Sequence, residues 1–169
     1  MTFAIHLNSV DETKKLGRLL GACLQNQAFI GLVGNLGAGK TTLTQALAEQ
    51  LGVDDAVSSP TFLMLNEYHS GRLPLFHFDL YRLQEDLSPE SAAMTALKSE
   101  IDEVVQSGLD AVVVVEWINL WEEFAAGFDE LRLEMSYDST DGRQVKFRAA
   151  GPGSENILAA LQSRWNAAS

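Results

Sequence analysis

The sequence predicts an α/β fold, a layered sandwich built on a mixed, mainly parallel sheet with two antiparallel hairpins. Three observations carry the prediction. The apolar runs 28–33 and 111–115 lack polar alternation, as strands covered on both faces do. Segments with helical spacing separate most strand candidates, the pattern of a layered sheet. Two pairs of strand-like runs are joined by short polar turns, which interrupts the strand–helix order and makes the sheet mixed.

The elements follow in order. Phe3 to Leu7 alternates apolar and other residues and reads as a first strand. Ser9-Val10-Asp11-Glu12 has the form of a capping box, so a helix should run to about Gln25. Leu16, Leu19, Leu20 and Leu24 share its buried face. Ala28–Val33 is a buried strand. A glycine-rich turn leads to a helix over Lys40–Leu51, stopped by Gly52. Thr61–Tyr68 and Leu73–Leu80 form a hairpin across His69-Ser70-Gly71-Arg72. Ser88-Pro89 sets a cap before a proline at the first helical position, and that helix should reach about Gln106, before Gly108. Ala111–Val115 is another buried strand. Leu131–Met135 and Arg143–Phe147 form the second hairpin, across Asp138-Ser139-Thr140-Asp141-Gly142, and Ser154–Trp165 a last helix. The 169 residues contain no repeat, low-complexity tract or Gly/Ser linker, so one domain over 1–169 is expected.

With 12 Lys+Arg against 23 Asp+Glu, the net charge of −11 argues against coating nucleic acid by bulk charge. The lone Cys23 excludes an intrachain disulfide and a multi-cysteine zinc site and fits a reducing compartment. No apolar run approaches the roughly 20 residues of a membrane helix. The start, Met1 to His6, lacks the basic and apolar stretches of a signal peptide. The expectation is a cytoplasmic protein away from membranes.

Chemistry enters at Gly34-Asn35-Leu36-Gly37-Ala38-Gly39-Lys40-Thr41, which fits G-x-x-x-x-G-K-[ST] in full, with a buried strand before it and a helix after it. Glycines let backbone N–H groups close on phosphate oxygens, and the helix N-terminus adds donors and a positive dipole end. Lys40 can reach β- and γ-phosphates, and the Thr41 hydroxyl can ligate Mg²⁺. The candidate nucleotide-binding residues are Gly34, Asn35, Leu36, Gly37, Ala38, Gly39, Lys40, Thr41 and Thr42, and the fold expected around them is a three-layer, P-loop NTPase-like sandwich. Two acids follow apolar strands and compete for the metal: Glu116, after Val112 to Val115, and Asp79, in Leu75-Phe76-His77-Phe78-Asp79. Glu116 ends a candidate central strand, where the carboxyl edge of such sheets binds ligands. Asp79 lies on a hairpin strand whose direction the sequence leaves open; it is a candidate for positioning water or touching the catalytic metal.

Asn-Lys-x-Asp and Asp-x-x-Gly are absent, which leaves guanine specificity without support. The seven arginines are scattered, with Arg132, Arg143 and Arg148 on or beside hairpin strands, unlike the arginine cluster of a small-molecule kinase lid. Arg82 follows Asp79 by three residues and suits either a γ-phosphate or a surface ion pair.

Gly37-Ala38-Gly39-Lys40-Thr41-Thr42, Ser59-Pro60-Thr61-Phe62, Asn66-Glu67-Tyr68, His77-Phe78-Asp79-Leu80-Tyr81-Arg82-Leu83 and Glu116-Trp117 occur in that order. Together they resemble the TsaE (YjeE) family, the bacterial ATPase of tRNA threonylcarbamoyladenosine (t6A) biosynthesis, over about residues 5–148. The resemblance implies ATP or ADP held by Lys40 and the loop backbone, and Mg²⁺ held by Thr41 and Glu116. It further implies a γ-phosphate-sensing switch at Thr61, a residue needed for hydrolysis at Asp79, and a base pocket near Val10 and Gly142-Arg143. The catalytic set is then Asp79, Lys40 and Thr61. The implied partners are the threonylcarbamoyl transferase and its paralogue (TsaD and TsaB type), with tRNA contacted mainly through that pair and this chain monomeric alone. ATP hydrolysis, weak without the pair, would reset the complex after product forms. Two departures fall where a partner could dock. The stretch from Asp86 to Gly108 reads as a longer helix containing Ala and Glu, and Ile118 stands where proline often follows Glu-Trp. The alternatives are a small-molecule P-loop kinase, a nucleotide-dependent binding switch whose hydrolysis is incidental, and a nucleotide-free scaffold.

Overall fold

The computed structural model describes residues 2–61, 64–85, 91–138 and 142–168. Its elements are β1 (Thr2–Leu7), α1 (Val10–Cys23), β2 (Ala28–Val33), α2 (Lys40–Leu51), β3 (Leu65–Tyr68), β4 (Leu75–Asp79), α3 (Ala92–Gln106), β5 (Val112–Glu116), α4 (Glu122–Ala125), β6 (Glu130–Tyr137), β7 (Arg143–Ala149) and α5 (Pro152–Ala168). The strands form one sheet in the order β1-β7-β6-β2-β5-β4-β3. β6, β2, β5 and β4 are mutually parallel. The β6–β7 and β3–β4 hairpins flank them, and β1 adds antiparallel to β7.

Strand alternation sorts the core. Val112 and Val114 of β5 join Ile30, Leu32 and Leu75 beneath α1, α2 and α5. Val113 and Val115 join Phe76 and Phe78 on the opposite face, beneath α3 and the segment 118–125. All five residues of β5 are buried, which is why its sequence shows no polar alternation. Each such valine side chain contributes about 1.5–3 kcal/mol by leaving water. α1 lies close on α2 because Gly17 and Gly21 face it; a Cβ at Gly17 would stand 2.5 Å from the Leu43 carbonyl oxygen.

The two faces are covered unequally. On the α3 side the third layer lies over the central strands, whereas β1 and β7 alternate buried residues with exposed ones such as His6, Gln144, Lys146 and Arg148. Between the two zones, buried Arg132 of β6 donates to Glu130 at 2.9 Å and to both oxygens of Glu122 at 2.6 and 2.7 Å.

Most expected boundaries hold within a few residues. The Ser9 hydroxyl accepts the Glu12 amide at 3.2 Å, while the Glu12 carboxylate reaches back to the Asn8 amide, one residue beyond the predicted box. Gly52, at φ +80°, ends α2 with its N–H on the Ala48 and Glu49 carbonyls. The strand expected from Thr61 begins only at Leu65. The Met64 N–H donates to the Pro60 carbonyl, and Met64 takes φ +64°. The short helical turns Tyr81–Glu85 and Ile118–Trp121, and α4, were not expected, since four or five residues carry no readable periodicity. The Ser88-Pro89 cap, Phe62, residues 86–90 and 139–141 of the second turn lie outside the described residues; α3 is described from Ala92. Among the described residues no helix is long and apolar enough to cross a membrane.

Candidate nucleotide-binding and catalytic site

The loop Gly34–Gly39 joins β2 to α2 at the carboxyl edge of the parallel strands. Gly39 immediately precedes α2 with φ +105°, a conformation that a residue with a Cβ rarely adopts. A Cβ at Gly34 would meet the Met135 carbonyl oxygen at 2.5 Å. These glycines keep the loop tight and leave the helix N-terminus open to the cleft.

Lys40 opens α2 and is only 4% exposed. Its ammonium donates to the Gly34 and Asn35 carbonyls at 2.6 and 3.3 Å and lies 4.2 Å from the centre of the Trp117 ring. Burial pushes the ammonium below the usual lysine range, while Glu116 first and then Asp79 pull it back up. Trp117 takes φ +63° directly after β5 and packs at 5.2 Å on Tyr81.

Register brings the two acids together. Parallel pairing of β4 with β5 sets Asp79 opposite Glu116. The direction that the hairpin left open is thus settled: β4 delivers Asp79 to the same edge as Glu116. Both are buried, at 3% exposure each, and both line one cleft with Gly37, Gly39, Lys40, Thr41, Ser59 and Thr61. The Thr41 hydroxyl donates to Glu116 Oε1 at 3.0 Å, and the ring Nε2 of His77 lies 2.9 Å from the same oxygen. The Asp79 Oδ2 accepts the Ser59 hydroxyl at 2.7 Å and the Thr61 hydroxyl at 2.8 Å; its Oδ1 accepts the Tyr81 amide at 2.9 Å.

This donor set fits Mg²⁺. The ion takes oxygen ligands and is usually held by one or two carboxylates together with substrate phosphates, not by an all-protein cage. One hydroxyl and one carboxylate converge at Thr41 and Glu116, and among the described residues no group of three His, Cys, Asp or Glu offers a cage.

Of the base-pocket expectation, Arg143 reaches the loop: its Nε donates to the Ala38 carbonyl at 3.1 Å and its guanidinium stacks over Tyr137 at 5.4 Å. The Gly142 N–H donates to the Asp138 carboxylate at 3.0 Å. Val10 is exposed at the start of α1, one turn before Thr13, which packs near Gly39. Arg82 is exposed in the turn after β4 and is not among the residues lining the cleft. Residue-by-residue reading missed four groups. Ser59, His77, Tyr81 and Trp117 entered only as motif letters, although alternation along 75–79 places His77 on the face of Asp79.

The family model described as threonylcarbamoyl adenosine biosynthesis protein TsaE matches residues 7–145. The chain is similar to the tRNA threonylcarbamoyladenosine biosynthesis protein TsaE of Bacillus subtilis, 34% identical over 162 residues that cover 92% of this chain and 91% of the relative. It is similar to the protein of the same name from a Nostoc species, 40% identical over 116 residues, covering 67% and 66%. Its fold is similar to the crystal structure of Bacillus subtilis YdiB, with a TM-score of 0.77, 29% identity and coverage of 97% and 96%.

Proposed function

The chain belongs to the TsaE family of threonylcarbamoyl adenosine biosynthesis proteins, and from that premise we propose that it is a single-domain, ATP-binding, Mg²⁺-dependent ATPase. In this reading it docks on the threonylcarbamoyl transferase and its paralogue and couples ATP hydrolysis to their turnover on tRNA. The observation that carries the reading is the register pairing of Asp79 with Glu116, which gives a phosphate loop two differently held acids at one edge.

Each residue has a place in the chemistry. Lys40 exchanges the Gly34 and Asn35 carbonyls for phosphate oxygens of ATP, helped by the loop N–H groups and the N-terminus of α2. Thr41 and Glu116 hold Mg²⁺, which when bound neutralises charge developing on the phosphates. Asp79 orients the attacking water. Thr61 leaves Asp79 for the γ-phosphate, so the 59–61 segment differs between ATP and ADP states. Turnover is slow alone and rises with the partners, because completing the charge around a γ-phosphate raises phosphoryl transfer by about 10³–10⁵. The net charge of −11 leaves most tRNA contact to the partner pair.

The test measures ATP binding, then ATPase rate with and without the partner pair, then tRNA modification reconstituted with and without this protein. The expected result is ATP binding, weak hydrolysis alone, a clear rise with the pair and more modified tRNA per transferase. Absence of ATP binding, or modification unaffected by this protein over many turnovers, overturns the reading.

A further inference from the structure

We propose that His77 is a positioning residue that fixes the Glu116 carboxylate for the cation; this rests on the assignment of Mg²⁺ to Thr41 and Glu116. His77 sits in the middle of β4 and is wholly buried. Its neighbours Phe76 and Phe78 enter the core beneath α3, so alternation turns His77 to the α2 side, two residues before Asp79. There its Nε2 meets Glu116 Oε1 at 2.9 Å, and the Thr41 hydroxyl meets the same oxygen at 3.0 Å. One carboxylate oxygen thus takes two donors, one from the strand and one from the helix. That fixes the rotation of the carboxylate group, and with it the direction of Oε2.

The hydrogen count assigns the tautomer. A carboxylate oxygen accepts, so Nε2 carries a hydrogen; in the neutral ring Nδ1 then presents a lone pair. Among the described residues Nδ1 is buried without a hydrogen-bond partner. A leucine on this α2 side, where Leu75 and Val114 are buried, would fill the interior without an orphaned nitrogen, whose burial costs stability. What histidine adds is the Nε2–H on Glu116. Groups that orient a metal ligand in this way typically change metal affinity by about 10–100-fold when removed.

The experiment measures, for wild type, His77→Leu and His77→Gln, melting temperature, ADP affinity in EDTA, and Mn²⁺ affinity of the protein–ADP complex by electron paramagnetic resonance. The expected result for folded His77→Leu is wild-type ADP affinity in EDTA with Mn²⁺ bound about 10–100-fold more weakly. Glutamine, whose terminal N–H₂ can reach Glu116, should restore most of the loss. Unchanged Mn²⁺ affinity in His77→Leu, ADP affinity in EDTA lost in parallel, or glutamine no better than leucine overturns the proposal. Should His77→Leu not fold, ¹⁵N NMR of the wild-type imidazole decides. The expected ring is the Nε2–H tautomer with resonances that move when Mg²⁺ joins the ADP complex; an Nδ1–H tautomer, or resonances that stay still, overturns it. A wild-type ADP complex that binds no Mn²⁺ removes the metal assignment itself, an outcome distinct from equal binding by wild type and His77→Leu.

Discussion

The ends of β4 and β5 lie side by side and carry one buried acid each, yet hold it in different company. Glu116 is tied to Thr41 and His77, which belong to a helix and a core strand. Asp79 is tied to Ser59 and Thr61, which belong to the connection between α2 and β3, and to the Tyr81 amide. A carboxylate gripped by regular structure keeps its place, as a cation ligand must. One gripped by loop hydroxyls can trade them for another partner, and the loop then moves with the trade. In the proposed function the same residue chemistry at the same edge serves two tasks, divided by what each acid is anchored to.

Breaking the β5 end should have the largest effect. Glu116→Ala should lower Mg²⁺-dependent ATPase by about 10³-fold, since in the proposed function it removes a ligand of the ion that would neutralise phosphate charge. ADP affinity in EDTA should change little. Near-normal turnover of Glu116→Ala with the partners present would hand the metal to Asp79 and erase the division.

Breaking the β4 end should cost about 10²-fold in partner-stimulated turnover in Asp79→Ala, in the range of a lost group that orients or deprotonates the nucleophile. ATP and partner binding should survive. Full stimulation of this variant would remove Asp79 from hydrolysis.

Lys40 lies between the two ends and senses both. Lys40→Met should weaken ATP about 10–100-fold, the loss of a charge-assisted contact of about 1.5–3 kcal/mol, while leaving the fold equally or more stable. The sign follows from burial, which lowers the pKa of the folded-state ammonium against the partial restoration by Glu116 and Asp79. Between that lowered value and the unfolded value near 10.4, the unfolded chain binds more protons, so wild-type stability rises with pH there. The advantage of Lys40→Met in denaturant melts should be full below that window and fade through it. A variant less stable than wild type at neutral pH contradicts the burial argument.

Ser59→Ala should give the smallest effect, about 0.5–1.5 kcal/mol for one hydrogen bond to Asp79. It should loosen the 59–61 segment, read as faster amide exchange there, with a few-fold change in the ATP dependence of partner docking. Thr61→Ala should abolish that dependence, because it also removes the group assigned to the γ-phosphate. Equal effects of the two variants would merge Ser59 and Thr61 into one role.

The glycine-rich loop, the strand before it, the helix after it and both hairpins were legible in the sequence because their signals are local. They are a glycine spacing, an unbroken valine run, and a capping box opening α1. The stop at Gly52 and the acid after β5 are equally local. Which acid faces which partner depended on two-residue alternation joined to strand register, and register is a long-range property. Lys40, Thr41 and Glu116 could be named as candidates from motif and context. The bonds from His77 to Glu116 and from Ser59 to Asp79 could not, because 39 and 20 residues of chain separate the partners.

By itself the sequence determined that a glycine-rich loop sits between a buried strand and a helix in a mixed α/β sheet, since propensity, glycine geometry and burial pattern act over a few residues. Only the tertiary structure decided that β4 runs parallel to β5, that β1 closes on β7, and that, among the described residues, the third layer leaves the β1–β7 side uncovered. Hydrophobic burial is non-directional; it states that a strand must be covered, and pairing and packing across the whole chain determine by what and in which direction.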